Sequence, residues 1–233
     1  MASSVYIGLA PAVLLPLYFR DLMSGFSNPT GAWGGLAALA VLVSSFAALA
    51  AAYAARRTPR LRLLALFSAG LVGAIALLAW HPGSSLLTAA LAYVAAQSFF
   101  FAAVTIYESF LPDLLPAGDR QKLSGYGWSI GYLGGIFAII VLLLIIGDAP
   151  HSREIIERCL IAIAVISAVF YVAVLLFMRS EGFAKLGEGR SASPRLGSVL
   201  GALRPWRANR RVLLLLLGTM LIQCAVSVVL TFT

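Results

Sequence analysis

An all-α, polytopic membrane fold is what this sequence predicts, on three observations. Hydrophobic residues make up 61% of the 233 and charged residues 11%, with a mean hydropathy of +0.95. A soluble domain carries about a quarter charged residues, so this chain lacks the polar surface to cover its apolar mass. Apolar runs recur at the roughly 20-residue length of a membrane-crossing helix, without the alternation of barrel strands. A helix also satisfies its backbone within one segment, as lipid requires. Finally, the basic residues gather in alternate loops.

Seven spans follow, near Ser4–Phe19, Trp33–Ala55, Leu63–Trp80, Ser85–Phe110, Leu123–Ile146, Cys159–Met178 and Val212–Phe232. The first is the shortest and carries Pro11 and Pro16. No Lys or Arg precedes it and no clear cleavable tail follows, so it reads as a retained span rather than a signal peptide. Its prolines free carbonyls and kink a helix. Broken helices often line transport sites, and a structural kink is the other reading. The second span is built of small residues, with Ser44 and Ser45 as helix glue. The third ends at the tight turn His81-Pro82-Gly83-Ser84. The sixth opens on Cys159, and Gln223 is the strong polar group of the seventh.

Fourteen of the 17 Lys and Arg residues fall in three loops. Loop 2–3 holds Arg56, Arg57, Arg60 and Arg62, loop 4–5 holds Arg120 and Lys122, and loop 6–7 holds the rest. Only Arg20, Arg153 and Arg158 lie on the opposite side. The positive-inside rule puts the N-terminus and these three loops in the cytoplasm and the C-terminus outside. The net charge of +8 is thereby a matter of topology. A nucleic-acid partner is not expected, because the basic residues border spans and are not interleaved with aromatics. The domain division is a six-helix bundle over 1–178, a basic cytoplasmic linker over 179–211, and the seventh helix over 212–233.

Two spans carry informative residues. Span 4 holds Gln97, Thr105 and Glu108. Gln97 and Glu108 are eleven residues apart, about three turns, and share one face. A carboxylate near a span end needs water, a partner or a cavity. Glu108 therefore reads as a cation- or proton-sensitive group at the inner mouth, or as an interfacial residue paired with Arg120 or Lys122. Gln97 reads as a midplane polar contact or as an interhelical hydrogen bond. In span 5, Gly127, Gly131 and Gly135 recur every four residues, with Gly134 on the same side. This stripe lets a neighbouring backbone approach closely, as static packing, as a moving contact, or as both.

Other chemistry is excluded by geometry. Gly127-Trp128-Ser129-Ile130-Gly131 matches the G-x-S-x-G pattern of serine hydrolases, but it lies inside a span. His81 and His151 are in outward loops, across the membrane from Ser129. No enzyme is expected. Two separated histidines and two isolated cysteines give no metal-ligand spacing, and no Walker A motif is present. No cofactor is expected, and any transport is secondary or passive.

The stretch Phe101–Gly135, FAAVTIYESFLPDLLPAGDRQKLSGYGWSIGYLGG, resembles the major facilitator superfamily, in the branch of the autophagy-related vacuolar amino-acid effluxers and their bacterial homologues. The residues that carry the likeness are Tyr107, Leu111-Pro112-Asp113, Ser124, Gly127, Gly131, Tyr132, Gly134 and Gly135. The opening VYIGLAPAVLLPLYF is similar to that family's first span. Loop 2–3 keeps Arg56, Arg57 and Arg62 of the superfamily's loop motif but lacks its glycine and aspartate. The resemblance implies a facilitator-type secondary transporter, or a truncated or split form of one, moving a small solute such as an amino acid. Gln97, Thr105, Tyr107 and Glu108 would then face substrate or cavity. Seven spans amount to one six-helix half plus one helix, so the bilayer and a second chain or copy completing the bundle are the expected partners. The alternative is a non-transporting membrane subunit that uses a half-carrier fold to dock or stabilise a complex. The expected location is a bacterial inner membrane rather than an organellar one.

Overall fold

The computed structural model describes residues 14–80, 85–110, 120–146, 153–180 and 214. They form α1 (Leu15–Leu22), α2 (Pro29–Ala54), α3 (Arg60–Trp80), α4 (Leu86–Glu108), α5 (Arg120–Ile146) and α6 (Arg153–Ser180). No strand occurs among the described residues. Five stretches are long and apolar enough to cross a membrane: α2, α3, α4, Gly125–Ile146 of α5 and Glu154–Ser180 of α6. All of this packing belongs to the first of two units, Met1–Gly189. Of the second, Arg190–Thr233, only the helical Leu214 is described. Most of span 1, the linker beyond Ser180, and the seventh span apart from Leu214 lie outside the described residues.

Four of the five long helices start before the apolar cores that predict them, whereas α4 lies within its expected Ser85–Phe110, because polar caps and flanking turns set the ends. α2 begins at Pro29 rather than near Trp33. Pro29 sits where a helix needs no N–H, and the Asn28 side chain accepts a hydrogen bond from the Gly31 N–H at 2.9 Å. A Cβ at residue 31 would lie 2.6 Å from the Asn28 amide nitrogen, so glycine there gives the cap its room. α4 begins after Ser85, whose Oγ accepts from the Thr88 N–H at 3.3 Å. α6 starts six residues before Cys159, and there Glu154 accepts from Arg158 at 2.6 Å one turn on. α1 ends at Leu22, past the expected Phe19, and takes in Arg20 and Asp21.

Packing centres on α4, against which α2 and α3 both lie. α3 also packs on α6, α6 on α5, and α1 on α2. Two apolar clusters fix the directions. One joins Ala51 of α2, Leu63 and Leu64 of α3, Ile106 of α4 and Met178 of α6. The other joins Phe19, Trp33, Leu78, Ala89, Leu142 and Ile156 with their neighbours. The C-terminal ends of α2, α4 and α6 thus meet the N-terminal end of α3, and successive helices run antiparallel. Among the described residues, Arg56, Arg57, Arg60, Arg62, Arg120, Lys122 and Arg179 share the first end with one carboxylate, Glu108. Arg20, Asp21, Arg153, Glu154, Glu157 and Arg158 share the other.

Candidate functional site

Gln97 lies at the midpoint of α4, eleven residues from either end, or about 16 Å along the axis. Its side chain is 6% exposed. One turn towards the N-terminus on the same face is Tyr93, also buried. Tyr93 belongs to a ring cluster that ties three helices together. Its centroid lies 5.9 Å from Phe19 of α1 and 5.2 Å from Trp33 of α2. Phe19 and Trp33 stack at 5.2 Å, and Tyr18 meets Phe19 edge-on at 5.5 Å. Contacts of this kind add about 0.5–1.5 kcal/mol each beyond area burial.

The buried polar side chains among the described residues are Ser44, Ser68, Gln97 and Ser167. Ser44 is satisfied within α2, donating to the Val41 carbonyl at 2.9 Å. Ser68 on α3, Ser167 on α6 and the buried indole N–H of Trp33 have no hydrogen-bond partner among the described residues. Each such orphan costs about 1–3 kcal/mol. No Asp, Glu, Lys or Arg is buried among the described residues. The interior therefore offers neutral hydrogen bonds and aromatic faces and carries no titratable carboxylate there.

The other span 4 candidates are not gathered with Gln97. Thr105 is half-buried and turned onto its own helix, donating to the Phe101 carbonyl at 2.8 Å. Tyr107 is 50% exposed. Glu108 shares the angular position of Gln97, but as the last residue of α4 it is exposed. The shared face is real as geometry, yet burial splits it, because the neighbouring helices enclose the middle of α4 and leave this side of its end open.

The glycine stripe is also divided. Gly131 and Gly134 are buried, Gly135 is half-buried, and Gly127 is exposed. Among the described residues nothing lies within 4 Å of a Cβ placed at Gly127. The buried strip of α5 continues instead through Ala138 and Leu142, at the i, i+3, i+7 and i+11 positions of one face. Ser129 donates to the Gly125 carbonyl at 3.0 Å within the helix. His81, His151 and Leu111-Pro112-Asp113 lie outside the described residues, and no group of three metal-ligating side chains occurs among those described.

Two contacts were not anticipated from the sequence. Arg60, grouped there simply with the loop charges, donates to the Ser109 carbonyl at 2.6 Å and lies over the Phe110 ring at 5.5 Å, joining the start of α3 to the end of α4. Gly70 of α3 lies against Phe99 of α4, where an added Cβ would meet the ring at 2.9 Å. Beside this contact an open apolar groove of about 450 Å³ runs between α3 and α4, past Gly73, Leu77 and Leu91 to Thr88. The signal for it was Gly70-x-x-Gly73 facing the Phe99-Phe100-Phe101 run, weaker in the sequence than the stripe in span 5. Arg56, Arg57 and Arg62 are all exposed, and the Arg57 guanidinium rests 5.1 Å from the Tyr53 ring centroid. No protein-family model matches this chain, and neither a curated protein nor a solved structure matches it.

Proposed function

We propose that the chain is a multi-pass integral membrane protein of facilitator type that moves a small neutral or zwitterionic solute together with a second chain or copy. The observation that carries this reading is Gln97, an amide buried at the midpoint of the most enclosed helix, one turn from the Tyr93–Trp33–Phe19 cluster. Polar groups at such depth are expensive in lipid and face an interior or a pathway. Antiparallel helices with arginines gathered at one end support a cytoplasmic position for that end. The test is solute uptake into vesicles carrying the purified protein, parent against Gln97→Leu. Uptake should fall at least tenfold in the variant with its melting temperature held. Uptake that is unchanged, or absent in the parent, counts against the carrier reading.

One observation favours a second reading, a subunit that docks a membrane complex without transporting. Among the described residues the interior holds no carboxylate or base for ion coupling, and α2 and α5 present long outward apolar faces. A stable assembly with no uptake would select this reading. Sidedness is checked by single cysteines in a cysteine-free background. Thr58→Cys, at the basic end, should be shielded from an impermeant thiol reagent in intact cells, and Ser27→Cys, at the other, should react.

A further inference from the structure

We propose that the α2–α3 turn and the outer face of α2 together bind one anionic phospholipid from the leaflet on the basic side. The inference rests on the multi-pass reading above. Four arginines fall within residues 56–62, and they are not equivalent. Arg60 is half-buried and engaged with Ser109 and Phe110. Arg56, Arg57 and Arg62 are exposed, and no carboxylate lies within ion-pair distance of them among the described residues. Two uncompensated guanidinium groups in the turn, Arg56 and Arg57, and a third in the first turn of α3, Arg62, repel each other and favour an anion nearby. Arg57 is also held in place, since its guanidinium covers the Tyr53 ring and keeps its donors at the end of α2.

Directly below, α2 continues the site with apolar surface. Tyr53, Leu49, Phe46 and Leu42 stand at successive positions of one helix face and are 41%, 65%, 65% and 57% exposed. Their span of eleven residues is about 16 Å, about half of a 30 Å hydrocarbon core and hence the depth of one leaflet. Exposed guanidinium groups, that of Arg57 held on the Tyr53 ring, above a one-leaflet apolar stripe match a phosphate headgroup above an acyl chain. Large protruding side chains suit a conformable chain, whereas a packed partner helix calls for small residues that let backbones approach.

The test uses the full chain, purified in mild detergent, stripped of lipid and offered equal amounts of phosphatidylglycerol and phosphatidylcholine with identical acyl chains. Retained lipid is counted by native mass spectrometry. The parent should retain phosphatidylglycerol preferentially. Arg56→Gln combined with Arg57→Gln should weaken that preference about 30-fold, the factor expected for two cationic contacts with an anionic headgroup. Arg20→Gln, at the opposite end, should keep it, and excess inorganic phosphate should not displace the lipid. Arg62→Gln alone, a smaller change, should reduce the preference in a chain that melts like the parent. Equal retention of both lipids, a preference untouched by the arginine variants, an equal loss in Arg20→Gln, or displacement by inorganic phosphate would each overturn the proposal. A chain released from membranes by alkaline washing would overturn the multi-pass reading and this proposal with it. An embedded chain indifferent to headgroup charge would overturn this proposal alone.

Discussion

Helices α4 and α5 are of similar length and both are apolar enough to cross a membrane, yet half of the most apolar window of α4 is buried against 22% for α5. Their residues explain the difference. The buried side of α4 is largely alanine, at 89, 92, 96, 102 and 103, with Tyr93, Gln97 and Phe100 between. Alanine lets α2 and α3 approach closely, and the aromatic and amide groups need the company that such closeness provides. α5 is the more hydrophobic of the two, but its Ile136, Ile140, Leu143 and Leu144 point outward, and its buried strip is narrow. Apolarity thus identifies a helix able to cross a membrane without ranking its depth in the bundle. Small residues interrupted by polar or aromatic ones mark the inner helix.

The substitution with the largest expected effect on that contrast is Tyr93→Ala, which removes the ring shared by Phe19 and Trp33. Loss of a buried aromatic side chain costs about 3–5 kcal/mol, so thermal melting in mild detergent should fall sharply. A parent-like melt would mean that α1 and α2 do not depend on α4. Next comes Ala96→Leu, at a fully buried position of α4, where overpacking should cost about 1–3 kcal/mol and lower folded yield. Gly131→Leu tests the buried strip of α5 in the same way. With fewer neighbours to displace, its cost should sit near the lower end of that range, about 1 kcal/mol, and a melt identical to the parent would place Gly131 on the outer face. The smallest effect belongs to Leu143→Ala, 62% exposed, which should change stability by no more than about 0.5 kcal/mol. A loss as large as that of Ala96→Leu would show that another chain covers α5. That outcome would erase the contrast while locating the second chain or copy proposed above.

The sequence by itself determined the helical class, the positions of five long apolar helices to within a few residues, and the segregation of arginine. These depend on run length, hydropathy and charge, which are local and add along the chain. It also marked Gln97, since an amide amid apolar residues stands out in one dimension. Helix ends were less legible, because Asn28 with Gly31 and Ser85 with Thr88 act through caps lying outside the apolar runs. Only the tertiary structure decided which members of each periodic set are enclosed. Gln97 and Glu108 have the same angular position, and Gly127 repeats Gly131, yet one of each pair is buried and the other exposed. Angle along a helix follows from residue number, but burial depends on where neighbouring helices begin and end. The tertiary structure also decided that Arg60, alone among four neighbouring arginines, caps α4, and that Gly70 meets Phe99. Both contacts join residues at least 29 positions apart, beyond any periodicity readable along the chain.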